Sequence, residues 1–471
     1  MPTLEWIGKS KVINHHQEVP FRVLERKYSF DESGQHNEDN GSENMIIRGD
    51  NLEALKALLP RYEGRIKCIY IDPPYNTGNE GWVYNDNVND PKIKKWLGEV
   101  VGKEGEDLTR HDKWLCMMYP RLKLLQKLLA DDGVIFISID DTECSNLILI
   151  CNEIFGASNF VANVSWQRTY SPRNDSKGIV SEVEHLVVFS KNPGWQPNKL
   201  PRTEAMDSRY KNPDNDVAPW KSSDAFAPGA ATHQGMVYAI QHPFTGEMLY
   251  PSNGRCWRYQ QSSMLEYMQG WCNYRLENLH DEKERARVCG IDESAVRKDV
   301  LAIVLEEPLE VSAAKAQKVY NRGRWPGFYF TKGGYGGIAR KTYLENVGGR
   351  LPTNLWMYEE TGHTDEAKKE LISLFGGRSP FDTPKPTRLL DFVLKVAGTS
   401  ETLMLDSFAG SGTTAHAVLN ANKADNGNRH FILIEMMDYA DSITAERVKR
   451  VIKGYGEGKN AVEGTGGNFS F

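Results

Sequence analysis

Short apolar runs rich in β-branched residues recur towards both ends of the chain, at Met45–Ile47, Ile66–Ile71, Gly133–Ile139, Phe160–Trp166, His185–Phe189, Leu403–Leu405 and Phe431–Ile434. They are too short for helices and show little alternation, which predicts strands buried on both faces, as in a parallel sheet. Between them, His111 to Asp131 carries Leu115, Met118, Leu122, Leu125 and Leu129 at helical spacing, a crossover helix covering that sheet. The pattern predicts an α/β fold: a seven-stranded, mostly parallel, doubly wound Rossmann-like sheet, with 160–166 and 185–189 forming a hairpin at its edge. Two segments break the pattern. Residues 31–44 are polar throughout and predict a flexible link after an N-terminal arm. Residues 196–350 are aromatic-rich, without βα alternation, and predict a separate inserted α+β domain. The chain therefore divides into an arm and linker (1–44), a first catalytic part (45–195), the insertion (196–350) and a second catalytic part (351–471).

The most informative strand end is Asp72-Pro73-Pro74-Tyr75. Two prolines stop ladder pairing and fix a bend, at the carboxyl end of a strand where α/β sheets bind ligands. Asp72 and the Pro73 carbonyl can converge there on a planar amino group, with Tyr75 as a flat surface beside it. Such an amine is a poor nucleophile because its lone pair is delocalised into a ring, and two acceptors on its hydrogens localise that pair. The plainer reading is an ordinary strand-end turn.

A second strand, Leu403 to Asp406, breaks into the glycine turn Ser407-Phe408-Ala409-Gly410-Ser411-Gly412 before a helix beginning near Thr413. Glycines admit a ligand close to the backbone, and the helix N-terminus offers N–H groups and partial positive charge. The turn lacks the Lys-Ser/Thr ending of a phosphate-cradling P-loop and the third glycine of a dinucleotide fingerprint. Glu435, ending the strand from His430, is placed for ribose hydroxyls. Asp50, followed by Asn51 at the end of Met45 to Gly49, is placed for an adenine amino group. Three strand-end acids around a glycine turn describe an adenosine-bearing cofactor.

These segments resemble a known family, the β-class amino methyltransferases of DNA, and within it the modification subunits of type III restriction systems. The resemblance runs through Gly49 to Leu55, Tyr70 to Gly78, Tyr84-Asn85-Asp86, Trp114 to Leu122 and Ile139 to Asp141, resumes at Pro384-Lys385-Pro386, and continues through Asp406 to Thr414 and Phe431 to Glu435. The catalytic tetrapeptide precedes the glycine turn, an order that defines the β class. The resemblance implies a Rossmann-like methyltransferase fold, S-adenosyl-L-methionine as methyl donor and an amino group in double-stranded DNA as acceptor. It implies catalysis by Asp72, Pro73, Pro74 and Tyr75 on a flipped base. Cofactor contacts then fall to Asp50, Asn51, Asp72, Lys385, Asp406, Phe408, Ala409, Gly410, Ser411, Gly412, Thr413 and Glu435. Asp in the first motif position favours adenine N6 over cytosine N4. The alternatives are a cytosine-N4 enzyme, a catalytically idle DNA-binding specificity subunit, and an RNA or protein-glutamine methyltransferase with a related pocket.

In the family the insertion carries target recognition. Its basic residues, Arg255, Arg258, Arg275, Arg322, Arg324, Lys332, Arg340 and Lys341, are interleaved with Trp257, Tyr259, Trp271, Tyr274, Trp325 and Tyr335, chemistry suited to bases and phosphates. The plainer reading of each single residue is a solvated charge. Tyr84 is placed to clamp the other face of the base, and the alternative there is a surface turn. Without the family, Lys385 reads as one exposed lysine before a proline, and Asp140 and Asp141 read as caps of the next helix.

Composition adds limits. At 471 residues the chain holds a large core and a second module, and its net charge of -6 leaves DNA binding to a local basic face. Seven cysteines without a Cys-x-x-Cys pair, and histidines without ligand spacing, predict no metal site and a reduced, cytoplasmic setting. No run is long and apolar enough to span a membrane. The chain is shorter than type III modification subunits usually are, so a solitary enzyme and a partner of a restriction helicase-nuclease both remain open; the family implies a homodimer.

Overall fold

The computed structural model describes residues 3–77, 110–171 and 178–471, so Gly78, Tyr84, Asn85 and Asp86 lie outside the described residues. The chain divides into two compact units, 1–200 with 351–471, and 201–350.

The first unit is built on one sheet. In chain order its strands are β1 (Ser29–Asp31), β2 (Gly34–His36), β3 (Met45–Arg48), β4 (Ile66–Ile71), β5 (Leu129–Ile139), β6 (Phe160–Gln167), β7 (Val183–Ser190), β8 (Leu355–Trp356), β9 (Leu403–Asp406), β10 (His430–Glu435) and β11 (Phe469–Ser470). Their spatial order is β8-β6-β7-β5-β4-β9-β10-β3-β11-β1-β2, with only β7 and β1 running against the rest. The seven predicted strands are its contiguous centre, and β6 and β7 form the predicted antiparallel hairpin. Among the described residues the sheet nevertheless has eleven strands, because four strands of two or three residues extend its edges.

Alternate residues of the central strands feed two cores. Ile69, Ile71, Ile135 and Ile137 pack against helices α1 (Asn51–Tyr62), α2 (Arg110–Leu128) and α3 (Cys144–Phe155). Cys68, Tyr70, Val134 and Phe136 face α4 (Thr387–Ala397), α5 (Thr413–Asp425) and α6 (Glu446–Lys453). Each fully buried Leu or Ile on these faces contributes about 2 kcal/mol, and the double coverage explains why the strands read as unbroken apolar runs. The predicted crossover helix ends at Leu128, and Leu129 already belongs to β5.

The polar link is not flexible. Its first residues make the β1–β2 hairpin, in which Asp31 Oδ1 accepts the Ser33 N–H and hydroxyl at 2.8 and 2.6 Å. Asn44 then donates to the Asn468 carbonyl and accepts the Phe431 N–H, both at 2.9 Å, so its amide joins β10 to the C-terminal segment. Polar side chains that close local and cross-strand hydrogen bonds do the docking that apolar burial does elsewhere.

The second unit is α+β. A four-stranded and a three-stranded sheet pack around buried Trp220, Trp257, Trp271, Tyr274 and Phe328. Trp257 and Trp271 donate their indole N–H groups to the Tyr238 and Phe328 carbonyls. The aromatics expected to interleave with surface cations are thus largely core. Among the described residues no helix is long and apolar enough to cross a membrane.

Candidate active site

Strands β4 and β9 are parallel neighbours, with Leu405 beside Ile69, so Asp72 and the glycine turn leave the same edge of the sheet side by side. Next to β9, β10 is paired so that Asp406 lies beside Leu433, and Glu435 in turn lies beside Arg48 of β3, two residues before Asp50. Four strand ends therefore deliver their acids to one rim, at the carboxyl edge where the strand order switches.

The chain leaves β4 after Ile71, and residues 72–77 belong to no helix or strand. The Pro74 carbonyl accepts the Trp114 indole N–H at 2.7 Å, and Asn76 follows at φ 61°, a left-handed conformation that Asn tolerates better than most residues. The buried Asn76 amide donates to the Arg110 carbonyl and to Glu143, whose Oε1 also lies 2.6 Å from His111 Nδ1.

Lys385 is the largest departure from a reading of residues alone. Its side chain is 8% exposed, and its ammonium contacts both Asp72 oxygens at 2.8 Å. It lies 4.9 Å from the centre of the Tyr75 ring and 3.6 Å from Glu184 Oε2. Glu184, which no motif marks, accepts the Tyr75 hydroxyl at 2.9 Å and Arg168 at 3.0 Å. Burial pushes Asp72 above the ordinary carboxylate range although Lys385 opposes it. At Glu184 burial also favours the acid, but Lys385, Arg168 and the Tyr75 hydroxyl together overcome it and hold Glu184 below its ordinary value. Lys385 stays charged, since Asp72 and Glu184 outweigh its own burial.

The glycine turn is fixed by its neighbours. Gly410 and Gly412 have φ of 51° and 81°, and a Cβ on Gly412 would meet the Thr444 carbonyl at 2.9 Å. Glu435 Oε2 accepts the Gly410 N–H at 2.8 Å and Oε1 the Met437 N–H at 3.0 Å, so this acid also shapes the turn it faces. Asn51 is buried, donates to the Ser407 carbonyl at 3.2 Å and accepts from Arg121. Asp50 Oδ1 caps α1 through the Leu52 and Glu53 N–H groups, which leaves Oδ2 towards the rim, 3.7 Å from Arg121. Beneath the turn the fully buried Arg447 of α6 donates to the Ser411 and Thr413 hydroxyls at 3.0 and 2.8 Å and to Glu370 and Thr387 at 3.0 Å. Thr413 in turn donates to the Lys385 carbonyl at 3.2 Å. Arg447 thus ties the turn to the segment carrying Lys385, a link between chain positions too distant to show any spacing.

A cleft opens between these parts, lined by Tyr70, Asp72, Phe381, Lys385, Phe408, Ala409 and Gly410 among others. Asp406 closes its floor, accepting the Phe408 N–H at 3.0 Å and the Thr414 hydroxyl at 2.6 Å. Burial pushes Asp406 up to about 7 against those two hydrogen bonds. A folded pKa above the unfolded one means that its contribution to stability is present at acid pH and lost as pH rises through about 7. Asp406→Asn keeps an acceptor for Phe408 and gains a donor for Thr414. It is expected to flatten a loss of about 1.4 kcal/mol per pH unit between 3.8 and about 7, read from urea midpoints; an unchanged slope would contradict this.

A family model described as DNA methylase matches residues 66–446. The chain belongs to the N6/N4 DNA methylase family. It is 32% identical to the Mod subunit of the type III restriction-modification enzyme StyLTI of Salmonella typhimurium, over 88% of this chain and 58% of that protein. It is 30% identical to the EcoPI Mod subunit of Escherichia phage P1, over 92% and 63% respectively. The type II methyltransferase M.KpnI of Klebsiella pneumoniae is 28% identical over 84% of this chain and 81% of its own length. The chain thus spans about three-fifths of the type III relatives' length.

In this member of the N6/N4 DNA methylase family the other candidate residues are placed differently. Asp140 makes a local turn with Thr142 and Asp141 lies 2.7 Å from His185, so neither caps α3, whose N-cap is Glu143. In the second unit Lys341 is not a surface contact. Its side chain has no exposure, and its ammonium is taken by Asp214, Asp216 and the Trp325 carbonyl. Arg255 and Arg275 pair with Asp224 and Glu277 at 2.6 Å, and Arg340 is half-buried. Arg258, Arg322, Arg324 and Lys332 are exposed.

Proposed function

We propose that this protein transfers a methyl group from S-adenosyl-L-methionine to the N6 amino group of adenine in a short sequence of double-stranded DNA, as the modification activity of a restriction-modification system. The observation that carries the reading is the meeting of Asp72 with the glycine turn on adjacent parallel strands, with Lys385 lining the same cleft and the Tyr75 ring 4.9 Å from its ammonium. The likeness to Mod subunits supports restriction-modification, and Asp in the first motif position supports adenine.

The chain's residues fit the cofactor. Gly410 and Gly412 hold the left-handed turn, packed so closely on Phe381 and the Thr444 carbonyl that no Cβ fits, Glu435 and Asp50 lie at strand ends on the same rim, and Ser411 and Thr413 are held by Arg447. When bound there, S-adenosyl-L-methionine supplies a methyl on a sulfonium sulfur, which keeps the bonding pair as the amino nitrogen takes the methyl.

Everything else is positioning and electrostatics. An adenine turned out of the duplex costs a few kcal/mol of stacking, offset by the walls of the pocket. Asp72 and the Pro73 carbonyl accept its two amino hydrogens, which directs the nitrogen lone pair towards the methyl. The proton that nitrogen must lose leaves through an Asp72 oxygen to solvent. Residues 201–350, with exposed Arg258, Arg322, Arg324 and Lys332, are assigned to reading the target sequence.

Tritium transfer from labelled cofactor to duplex DNA, RNA and protein tests the substrate class. Label is expected in duplex DNA alone. Label in RNA or protein, or in none of the three, would contradict the reading.

A further inference from the structure

Glu184 is the second residue of β7, which lies between β6 and β5, far in sequence from both motifs, yet its carboxylate joins the cluster of Tyr75 and Lys385. Its side chain is 8% exposed. Oε2 accepts the Tyr75 hydroxyl at 2.9 Å and lies 3.6 Å from the Lys385 ammonium, while Oε1 accepts from Arg168 at 3.0 Å.

Lys385 poses an electrostatic problem for the proposed reaction. An amino nitrogen that takes a methyl cation gains positive charge, and stabilisation at that moment comes from negative charge aimed at it. Asp72 with Lys385 on both of its oxygens is a neutral pair, which offers little. Glu184, 3.6 Å from the same ammonium, leaves the trio with one negative charge in excess. Arg168 does not cancel this equally, because its side chain is 39% exposed and screened by water.

We propose that Glu184 is a positioning residue that offsets the Lys385 charge and holds Tyr75, so that Asp72 presents net negative charge to the reacting nitrogen. The inference rests on the amino methyl transfer proposed above.

The test is single-turnover methyl transfer to duplex DNA at saturating cofactor, for wild type, Glu184→Gln, Lys385→Met and the double variant. Gln keeps an oxygen for the Tyr75 hydroxyl and removes the charge, while its NH2 takes the place of the oxygen that accepts from Arg168. Glu184→Gln is expected to slow transfer by roughly 10- to 100-fold, with cofactor affinity by calorimetry within about threefold. In the Lys385→Met background no cation offsets Asp72, so the same substitution is expected to cost less than about threefold. Equal losses in both backgrounds would mark Glu184 as merely structural and overturn the proposal, as would a Glu184→Gln rate within about twofold of wild type. Should Glu184→Gln fail to fold, Glu184→Asp, which keeps the charge, and Glu184→Ala, which removes it, decide: Ala is expected to transfer roughly tenfold more slowly than Asp, and equal rates would contradict the charge argument. Absence of transfer by the wild-type protein would instead refute the methyl-transfer reading itself.

Discussion

Asp72→Ala is expected to slow methyl transfer by roughly 10³-fold, the scale on which removal of one pre-organised electrostatic contact is felt, while cofactor affinity stays within about threefold. The substitution removes the acceptor for the amino hydrogens and the negative charge facing the nitrogen. It also strips Lys385 of its bidentate partner, leaving an ammonium whose other carboxylate, Glu184, is 3.6 Å away. Breaking a buried pair in this way costs about 3 kcal/mol, so a lower thermal midpoint accompanies the loss of turnover. Asp72→Asn separates the two effects, because the amide keeps an acceptor but not the charge, and its transfer rate is expected to lie between wild type and Asp72→Ala. Near-normal single-turnover rates in Asp72→Ala would remove the residue from the mechanism.

Lys341→Met carries the second large effect, and it falls on stability. Lys341 lies on the strand Ile338–Tyr343, and its ammonium joins the buried Asp214 carboxylate to Asp216, whose Oδ2 also accepts the Tyr343 hydroxyl at 2.6 Å. Asp214 meanwhile accepts the Trp325 N–H and the Trp220 indole at 2.7 and 2.8 Å. Methionine fills similar space but leaves two carboxylates facing each other without a cation, a loss of about 3 to 5 kcal/mol. Amide hydrogen exchange in the intact chain should show protection falling across residues 338–343 and 220–224. A surface phosphate contact would behave differently. It would leave exchange unchanged and reduce the salt slope of DNA binding by about one.

Lys341 and Lys385 show where sequence reading reaches its limit. As single residues both look like solvated lysines, yet each is buried by carboxylates more than a hundred positions away, Lys341 by Asp214 and Lys385 by Asp72. Family resemblance placed Lys385 near the cofactor but gave no hint of its grip on Asp72. What is legible has local punctuation: strands covered on both faces read as apolar runs, and Pro73-Pro74 and Gly410-Ser411-Gly412 mark where β4 and β9 have ended. Edge strands such as Leu355–Trp356 are too short to show any period. The β1–β2 hairpin hides in the sequence because Phe30 is its one apolar residue, buried against Phe469, while Asp31 closes its turn by hydrogen bonds. Glu184, Arg168 and Arg447 carry no motif, and only the pairing of β7 and the packing of α6 bring them to the site. Asp50 and Asn51, which the sequence offers as ligand contacts, also have structural roles that no motif shows: Asp50 caps α1 and Asn51 supports the turn through the Ser407 carbonyl.

The most direct measurement is mass spectrometry of nucleosides from duplex DNA incubated with the full chain and S-adenosyl-L-methionine, with the Asp72→Ala protein alongside. N6-methyladenine formed by the wild type and absent from the Asp72→Ala reaction is the expected result. N4-methylcytosine would contradict the adenine assignment, and no methylated base, or equal yields from both proteins, would contradict methyl transfer at Asp72.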